Sequence, residues 1–356
     1  MLAGLPAAAL PTVGGERYGQ GRHTVATPLG APAQLEIRTL QQLTSQAHWT
    51  RLYAAILLLA RAPRRALTAL LLTGLLARCV PAPEPQTVKP HAVQRALWVW
   101  SNLPVFKGSA RQALWADVAK YQFNTLYIQA QTLVYDDQPG LQQLVADAAA
   151  RQLEVELLAG KHTWARKAEH GAALQVVEDL IQFVATQSGS LPWGIHLDIE
   201  PHGLPEWAAD PNALANDLLD LLDAVVLKTS KAQLRLNYDM PNWYNDIAVT
   251  RHGQTRPLSH WLIDCCDRIT LMDYRDTLAD QLALADDELA YSRKVGKVLV
   301  VGSETACGLD KELTYCEEGQ AGLASALSGL GDFLQDDAAY GGVAVHHWGA
   351  LATLKP

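Results

Sequence analysis

The chain has no basic surplus, no Cys-x-x-Cys pair and no apolar run long enough to span a bilayer comfortably. Of its 356 residues, 29 are Lys or Arg and 37 are Asp or Glu, a formal net charge of −8. A nucleic-acid binder needs a basic face, so no nucleic-acid partner is expected. The five cysteines show no zinc-ligand spacing. A Gly-x-Ser-x-Gly elbow is absent, which argues against a Ser-His-Asp hydrolase. No glycine-rich phosphate turn follows the first strand candidate, which weakens an open doubly wound sheet and its nucleotide cofactors. No cofactor is expected. What is present is ordinary globular composition, 49% hydrophobic and 19% charged, ample for one large core.

The first ninety residues differ from the rest. Residues 1–50 show no sustained period, with Gly, Pro, Thr and Gln interrupting them, and residues 1–60 read as an upstream extension. Arg61-Ala-Pro-Arg-Arg65 and the twelve apolar-rich residues 66–77 match the charged and hydrophobic regions of an export signal over 61–82. Pro81-Ala-Pro-Glu-Pro85 is a stiff polar spacer, and residues 83–92 form a linker. Leu75-Leu-Ala-Arg-Cys79 resembles a bacterial lipobox, which implies lipidation of Cys79 and membrane anchoring; Arg78 stands where a small residue is expected. Cleavage after Ala82 is the competing outcome, and a buried amphipathic helix is the structural alternative. Either processing route puts the protein outside the cytoplasm or in the cell envelope. Cys307 and Cys316 fall in one loop and could close it by a disulfide there. Adjacent Cys265 and Cys266 read as small core residues.

From residue 93 onward, short apolar runs alternate with helical patterns. Strand candidates are 96–100, 125–130, 153–158, 194–200, 234–239, 268–274, 297–302 and 342–348. Helix-like stretches lie at 110–121, 142–151, 172–186, 211–228, 279–294 and 318–334. Eight βα repeats of 30 to 40 residues predict a (β/α)8 TIM barrel over 93–356. Continuous apolar runs suit parallel strands covered on both faces. The last run ends so near the C-terminus that the eighth helix should be missing or borrowed.

In such a barrel, chemistry collects at the C-terminal ends of the strands. Those ends carry Trp98 and Trp100, Gln129, His162, His196 with Asp198 and Glu200, Asn237, Tyr238, Asp239 and Trp243, Asp273 with Tyr274, Glu304, and His346, His347 and Trp348. Any one of these aromatics alone is ordinary core packing. Repeated at one end of eight runs, they form a polar and aromatic mouth suited to sugars, whose C–H faces stack on rings while their hydroxyls bond to Asn, Asp, Gln and His.

Gly194-Ile-His-Leu-Asp-Ile-Glu-Pro201 is the most informative segment. Residues two apart on a strand share a face, so Asp198 and Glu200 aim at one site. Glycoside cleavage needs an acid for the leaving oxygen and a group that traps or stabilises the anomeric cation. Glu200 is the candidate acid, and a nearby Trp could desolvate it and raise its pKa.

Two resemblances suggest the second group. Glutamates ending strands four and seven are the pattern of the retaining barrel glycosidases, which makes Glu304 the nucleophile; Glu200-Pro201 resembles the end of their Asn-Glu-Pro motif, with Ile199 in place of Asn. The segment also resembles the Asp-x-Glu signature of glycoside hydrolase family 18, the chitinase-like enzymes. That implies that Asp198 orients a substrate acetamido group, with Tyr274 in Met272-Asp-Tyr274 as a second contact and Trp348 as a sugar platform. His196 replaces that family's middle acid, Trp193 stands at its first, and Arg275 follows Tyr274 where Asp is expected. Two other readings stand beside these. One is a non-catalytic carbohydrate-binding barrel. The other is a metal-dependent hydrolase using His162, His196, Asp198, Asp273, His346 and His347, although the first strand lacks a His-x-His pair.

Overall fold

In a computed structural model of the protein, the described residues are 93–187 and 193–356. The expected extension, export signal and linker, with Cys79, lie outside them. Among the described residues, eight parallel strands close into a barrel. They are β1 (Gln94–Val99), β2 (Thr125–Gln129), β3 (Glu154–Ala159), β4 (Trp193–Leu197), β5 (Arg235–Pro241), β8 (Arg268–Met272), β9 (Val298–Glu304) and β10 (Tyr340–His346). Closure is direct, with Gln94 to Leu97 of β1 in register with Gly342 to Val345 of β10. The TIM-barrel expectation is therefore met.

The helices that cover the barrel are α1 (Gly108–Tyr121), α2 (Gln138–Ala149), α3 (His170–Ala185), α4 (Pro211–Lys231), α5 (Leu258–Cys265), α6 (Leu278–Val295) and α7 (Gly319–Leu334). Asp210 caps α4 by accepting the Ala213 N–H, and Thr277 caps α6 through the Asp280 N–H. Their apolar stripes meet the outward faces of the strands in one large core that includes Leu126, Leu157, Ile195, Leu218 and Leu327. After β10 the described residues form one helical turn, Trp348–Leu351. Among the described residues, no helix is long and apolar enough to cross a membrane.

One insertion was not expected. Between β5 and β8 the chain makes a hairpin, β6 (Ala248–Arg251) with β7 (Gln254–Pro257), followed by α5. His252 and Gly253 at its turn both have positive φ (51° and 75°), the geometry of a tight two-residue hairpin turn. The hairpin's polar face, rich in Thr, Gln and Arg, gave little hydrophobic signal.

Inside the barrel, period-two alternation sorts every strand. Ala96, Trp98, Tyr127, Leu158, Val300 and Ala344 form a separate inner cluster, with Trp100 packed above them. Small residues make room for the large rings. A Cβ at Gly302 would sit 2.7 Å from the Leu271 carbonyl oxygen and 3.3 Å from the Trp98 ring. This inner layer is a packed floor, and the open site stands on it.

Candidate active site

The site is built on β4. Regular pairing stops at Leu197, but alternation continues for three residues. Ile199 is buried in the outer core, and its carbonyl accepts the Tyr238 hydroxyl. That anchor turns Asp198 and Glu200 to the opposite side, toward the mouth. The approach is close: Asp198 N–H donates to the Ala159 carbonyl at 3.0 Å, and a Cβ on Gly160 would lie 1.7 Å from the Asp198 carbonyl oxygen. Only glycine fits there.

Both carboxyls are pushed above the ordinary range. For Asp198 the causes are burial, then the charges of Asp239 and Glu200, with His196 opposing. For Glu200 they are burial and then Asp239, with His346 opposing. Asp198 Oδ1 is buried and has no hydrogen-bond partner among the described residues. Glu200 lines a cavity of about 510 Å³ together with His202, Asn242, Trp243, Tyr274 and Arg275. Burial also holds the Tyr274 hydroxyl well above its usual pKa, aided by Glu304, Asp239, Asp198 and Glu200. Tyr274 is therefore a neutral phenol, a donor among acids.

Glu304 is placed differently. Its Oε1 accepts the N–H groups of Thr305 and Ala306, each at 2.7 Å, and its Oε2 lies 2.6 Å from His346 Nδ1. Burial would raise its pKa, but the His346 bond and charge and the two N–H groups outweigh it, so Glu304 stays ionised. The Trp100 indole N–H donates to His346 Nε2 at 3.1 Å. The other ring nitrogen, Nδ1, is the one that faces Glu304. A chain Trp100–His346–Glu304 thus lines the β1–β10–β9 side of the mouth.

The floor below is polar and closed. His196 lies 2.6 Å from Glu156 Oε2 and 2.7 Å from Asp239 Oδ1. Trp98 Nε1–H donates to Asp239 Oδ2 at 2.9 Å. Gln94 and Arg268 donate to Glu156 Oε1. Trp98, His196, Asn237 and Asp239 are at most 1% exposed. They lie in the closed floor and not in the wall of the cavity described above.

Four further candidates turn away from the mouth. Tyr238, Asp273 and His347 are each one residue out of phase with the lumen-facing set, so the pleat sends them outward. Tyr238 anchors Ile199, as noted above. Asp273 accepts from Asn242 beneath the loops at 3.3 Å, and burial raises its pKa to about 7. His347 caps the last helical turn by accepting the Gly349 N–H. Trp348 is buried and donates its indole N–H to Asp117 of α1 at 2.9 Å, so it is no platform in the cavity. Gln129 stays at the mouth and accepts from Thr132. His162 is exposed on the rim against Gly203, and Trp243 is 38% exposed in the cavity wall.

The metal ligands proposed from sequence do not converge. Both nitrogens of His196 and of His346 are engaged, His162 is on the rim, and Asp273 is behind the wall. Among the described residues, no group of three His, Cys, Asp or Glu is placed to hold a metal ion.

Of the remaining residues of the site, the sequence puts His202 at the end of the fourth run, while Asn242, Glu156 and Arg268 were passed over. His202 edges against Trp243 at 5.0 Å, bonds the Tyr244 hydroxyl, and is driven by burial to a pKa of about 4. Asn242 and Arg275 complete the same wall. Glu156 and Arg268, charges set at lumen-facing positions of otherwise apolar strands, were the available signal for the floor. Cys307 and Cys316 form a disulfide, Cα to Cα 5.1 Å. The loop it closes returns Tyr315 N–H to the Glu304 carbonyl and brings Leu313 to the cavity.

No family model matches the chain, and no curated protein does. Solved structures are similar in fold. A chitinase from Chromobacterium violaceum is 14% identical, covering 72% of this chain and 94% of its own, at a TM-score of 0.45. A β-1,4-mannanase is 10% identical over 71% of this chain and 86% of its own, at 0.47. A β-1,3-glucanosyltransferase from Rhizomucor miehei is 12% identical over 72% and 87%, at 0.45.

Proposed function

We propose that the protein is a glycoside hydrolase of oligo- or polysaccharides, with Glu200 as general acid and Asp198 as its partner. One observation carries this reading. Two neighbouring acids on one face sit beside an open cavity, both raised in pKa, and the deeper one has a buried oxygen free to accept a substrate donor. Two close, desolvated carboxyls hold a proton that isolated ones would lose, and that proton is what a leaving glycosidic oxygen requires.

Asp198 is favoured over Glu304 as the second group because both Glu304 oxygens are already engaged. The sequence suits a substrate carrying a 2-acetamido group. Its N–H donates to Asp198, its carbonyl oxygen attacks the anomeric carbon, and Glu200 passes its proton to the departing oxygen. Tyr274 donates to the same acetamido oxygen. Glu304 then serves to hold His346 and Trp100. Trp243 and His202 supply the sugar-facing wall. The disulfide supports an exported protein, with lipidation at Cys79 one route to the envelope.

The test is turnover of aryl glycosides and chromogenic polysaccharides by the 83–356 fragment and by its Glu200→Gln variant. The isosteric change should lower kcat by about 10²- to 10⁴-fold. Near-normal activity would remove Glu200 from the role. Sugar binding without turnover, unchanged in the variant, would instead make the barrel a carbohydrate-binding protein. Preference for N-acetylhexosaminides over plain glucosides separates the Asp198 route from a Glu304 nucleophile.

A further inference from the structure

His196 is fully buried and touches no substrate in the scheme above, yet it occupies a central point of the lumen. Its ring nitrogens meet two carboxylates, at 2.6 Å from Glu156 and 2.7 Å from Asp239. Glu156 also receives N–H donors from Gln94 of β1 and Arg268 of β8, and Asp239 receives the Trp98 indole N–H. Glu156 is held down to about 2: burial opposes, and His196, Arg268 and Gln94 prevail. With a carboxyl oxygen at hydrogen-bond distance from each nitrogen, the ring has an acceptor for a proton on both. Burial works against that cation, but Asp239 and Glu156 overcome it and lift its pKa to about 10. Tyr127 of β2 covers one face of the ring, centroids 4.1 Å apart.

Along β4, His196, Asp198 and Glu200 are successive residues of one face, at steps of about 6.6 Å. The cation is thus one step from Asp198 and two from Glu200. The charged groups that act on Asp198 are His196 beneath it, Asp239 from β5 and Glu200 beyond it; only His196 is positive.

We propose that His196 is a positioning residue, a fixed imidazolium whose charge lets the Asp198–Glu200 pair release its first proton and so sets the acidic limit of catalysis. Without that charge Asp198 faces only anions, and the pair stays doubly protonated to higher pH. A neutral Asp198 is a poorer acceptor for a substrate N–H and a poorer stabiliser of the cation that forms. The inference rests on the glycosidase reading for its link to rate, but not for its electrostatics.

The experiment uses the paired variant His196→Gln with Glu156→Gln, which removes one positive and one negative charge and keeps hydrogen-bonding side chains in both places. The single Glu156→Gln variant is the control for folding. In the paired variant the acidic limb of kcat/KM should move up by about one to two pH units, with the alkaline limb moving less. Carboxyl ¹³C NMR should show the same rise in the first proton loss of the pair, with no need of turnover. Ring ¹⁵N shifts of the unmodified protein should show both His196 nitrogens protonated at pH 8. A neutral ring at pH 8 overturns the inference, as does an unmoved first proton loss in a folded paired variant. Absent turnover with the NMR shifts intact would sink the glycosidase reading alone.

Discussion

Gly160→Ala is the sharpest test of how the barrel builds its site. Gly160 follows β3, and the β4 carbonyl of Asp198 passes directly over it. The added methyl carbon would lie 1.7 Å from that oxygen, whereas real contacts essentially never fall under 3.0 Å, so something must move by about 1.3 Å. No flexible side chain is available to yield, because the obstacle is backbone. Relief must come from shifting the Asp198 peptide, which carries one acid and sets the direction of the next. Overpacking of this kind costs about 1–3 kcal/mol. In a domain of this size each kcal/mol lowers Tm by roughly 2–4 °C, so a fall of roughly 2–12 °C is expected. Misplacing a catalytic group by about 1 Å costs on the order of 10²-fold in rate, so kcat/KM should fall by about that factor in protein that is still folded. Thermal melting and aryl-glycoside kinetics on the same preparation read both effects. Unchanged Tm with unchanged kcat/KM would show that Asp198 does not depend on this close approach.

Stability should also depend on pH through the lumen. His196 rises from 6.5 to about 10, so its contribution is complete below about pH 6.5 and is lost as pH climbs toward 10. At about 1.4 kcal/mol per unit the full swing is roughly 5 kcal/mol, shared with its carboxylates; a urea midpoint that stays flat from pH 7 to 10 would contradict a charged ring. Glu156 behaves oppositely, its contribution present above about pH 4.5 and lost as pH falls toward 2. Replacing Cys307 and Cys316 together by Ser should cost about 2–3 kcal/mol for so short a loop and lower kcat, since the loop holds the Glu304 carbonyl; equal activity with and without reductant would deny the loop that role. Tyr274→Phe should leave Tm nearly unchanged, yet cut kcat on N-acetylated substrates by roughly 10- to 100-fold, the loss of one donor to developing charge; full activity would take Tyr274 out of the site.

Much of this was legible in the chain. The spacing of eight apolar runs specified the barrel, because each βα repeat must bury one strand and one helix face. Asp198 and Glu200 were legible as a pair because a two-residue step on a strand is a geometric constant. Tyr238 and Asp273 were misplaced by ignoring that same constant, since each follows or precedes a lumen residue by one. Trp348 was misplaced for another reason: beyond β10 the chain turns into a helical turn, and α1 offers Asp117 as a partner that no local pattern announces.

Which residues along one strand share a face follows from covalent geometry and was set by sequence alone. Which carboxylate is free and which is already bonded was settled only in three dimensions. Glu304 is engaged because His346 arrives from the neighbouring strand and two backbone N–H groups curl over it. His196 is a cation because β3 and β5 each bring a carboxyl group to one of its nitrogens. Protonation depends on neighbours remote in sequence, 40 and 43 residues away for His196, and electrostatic energy is a property of distance in space.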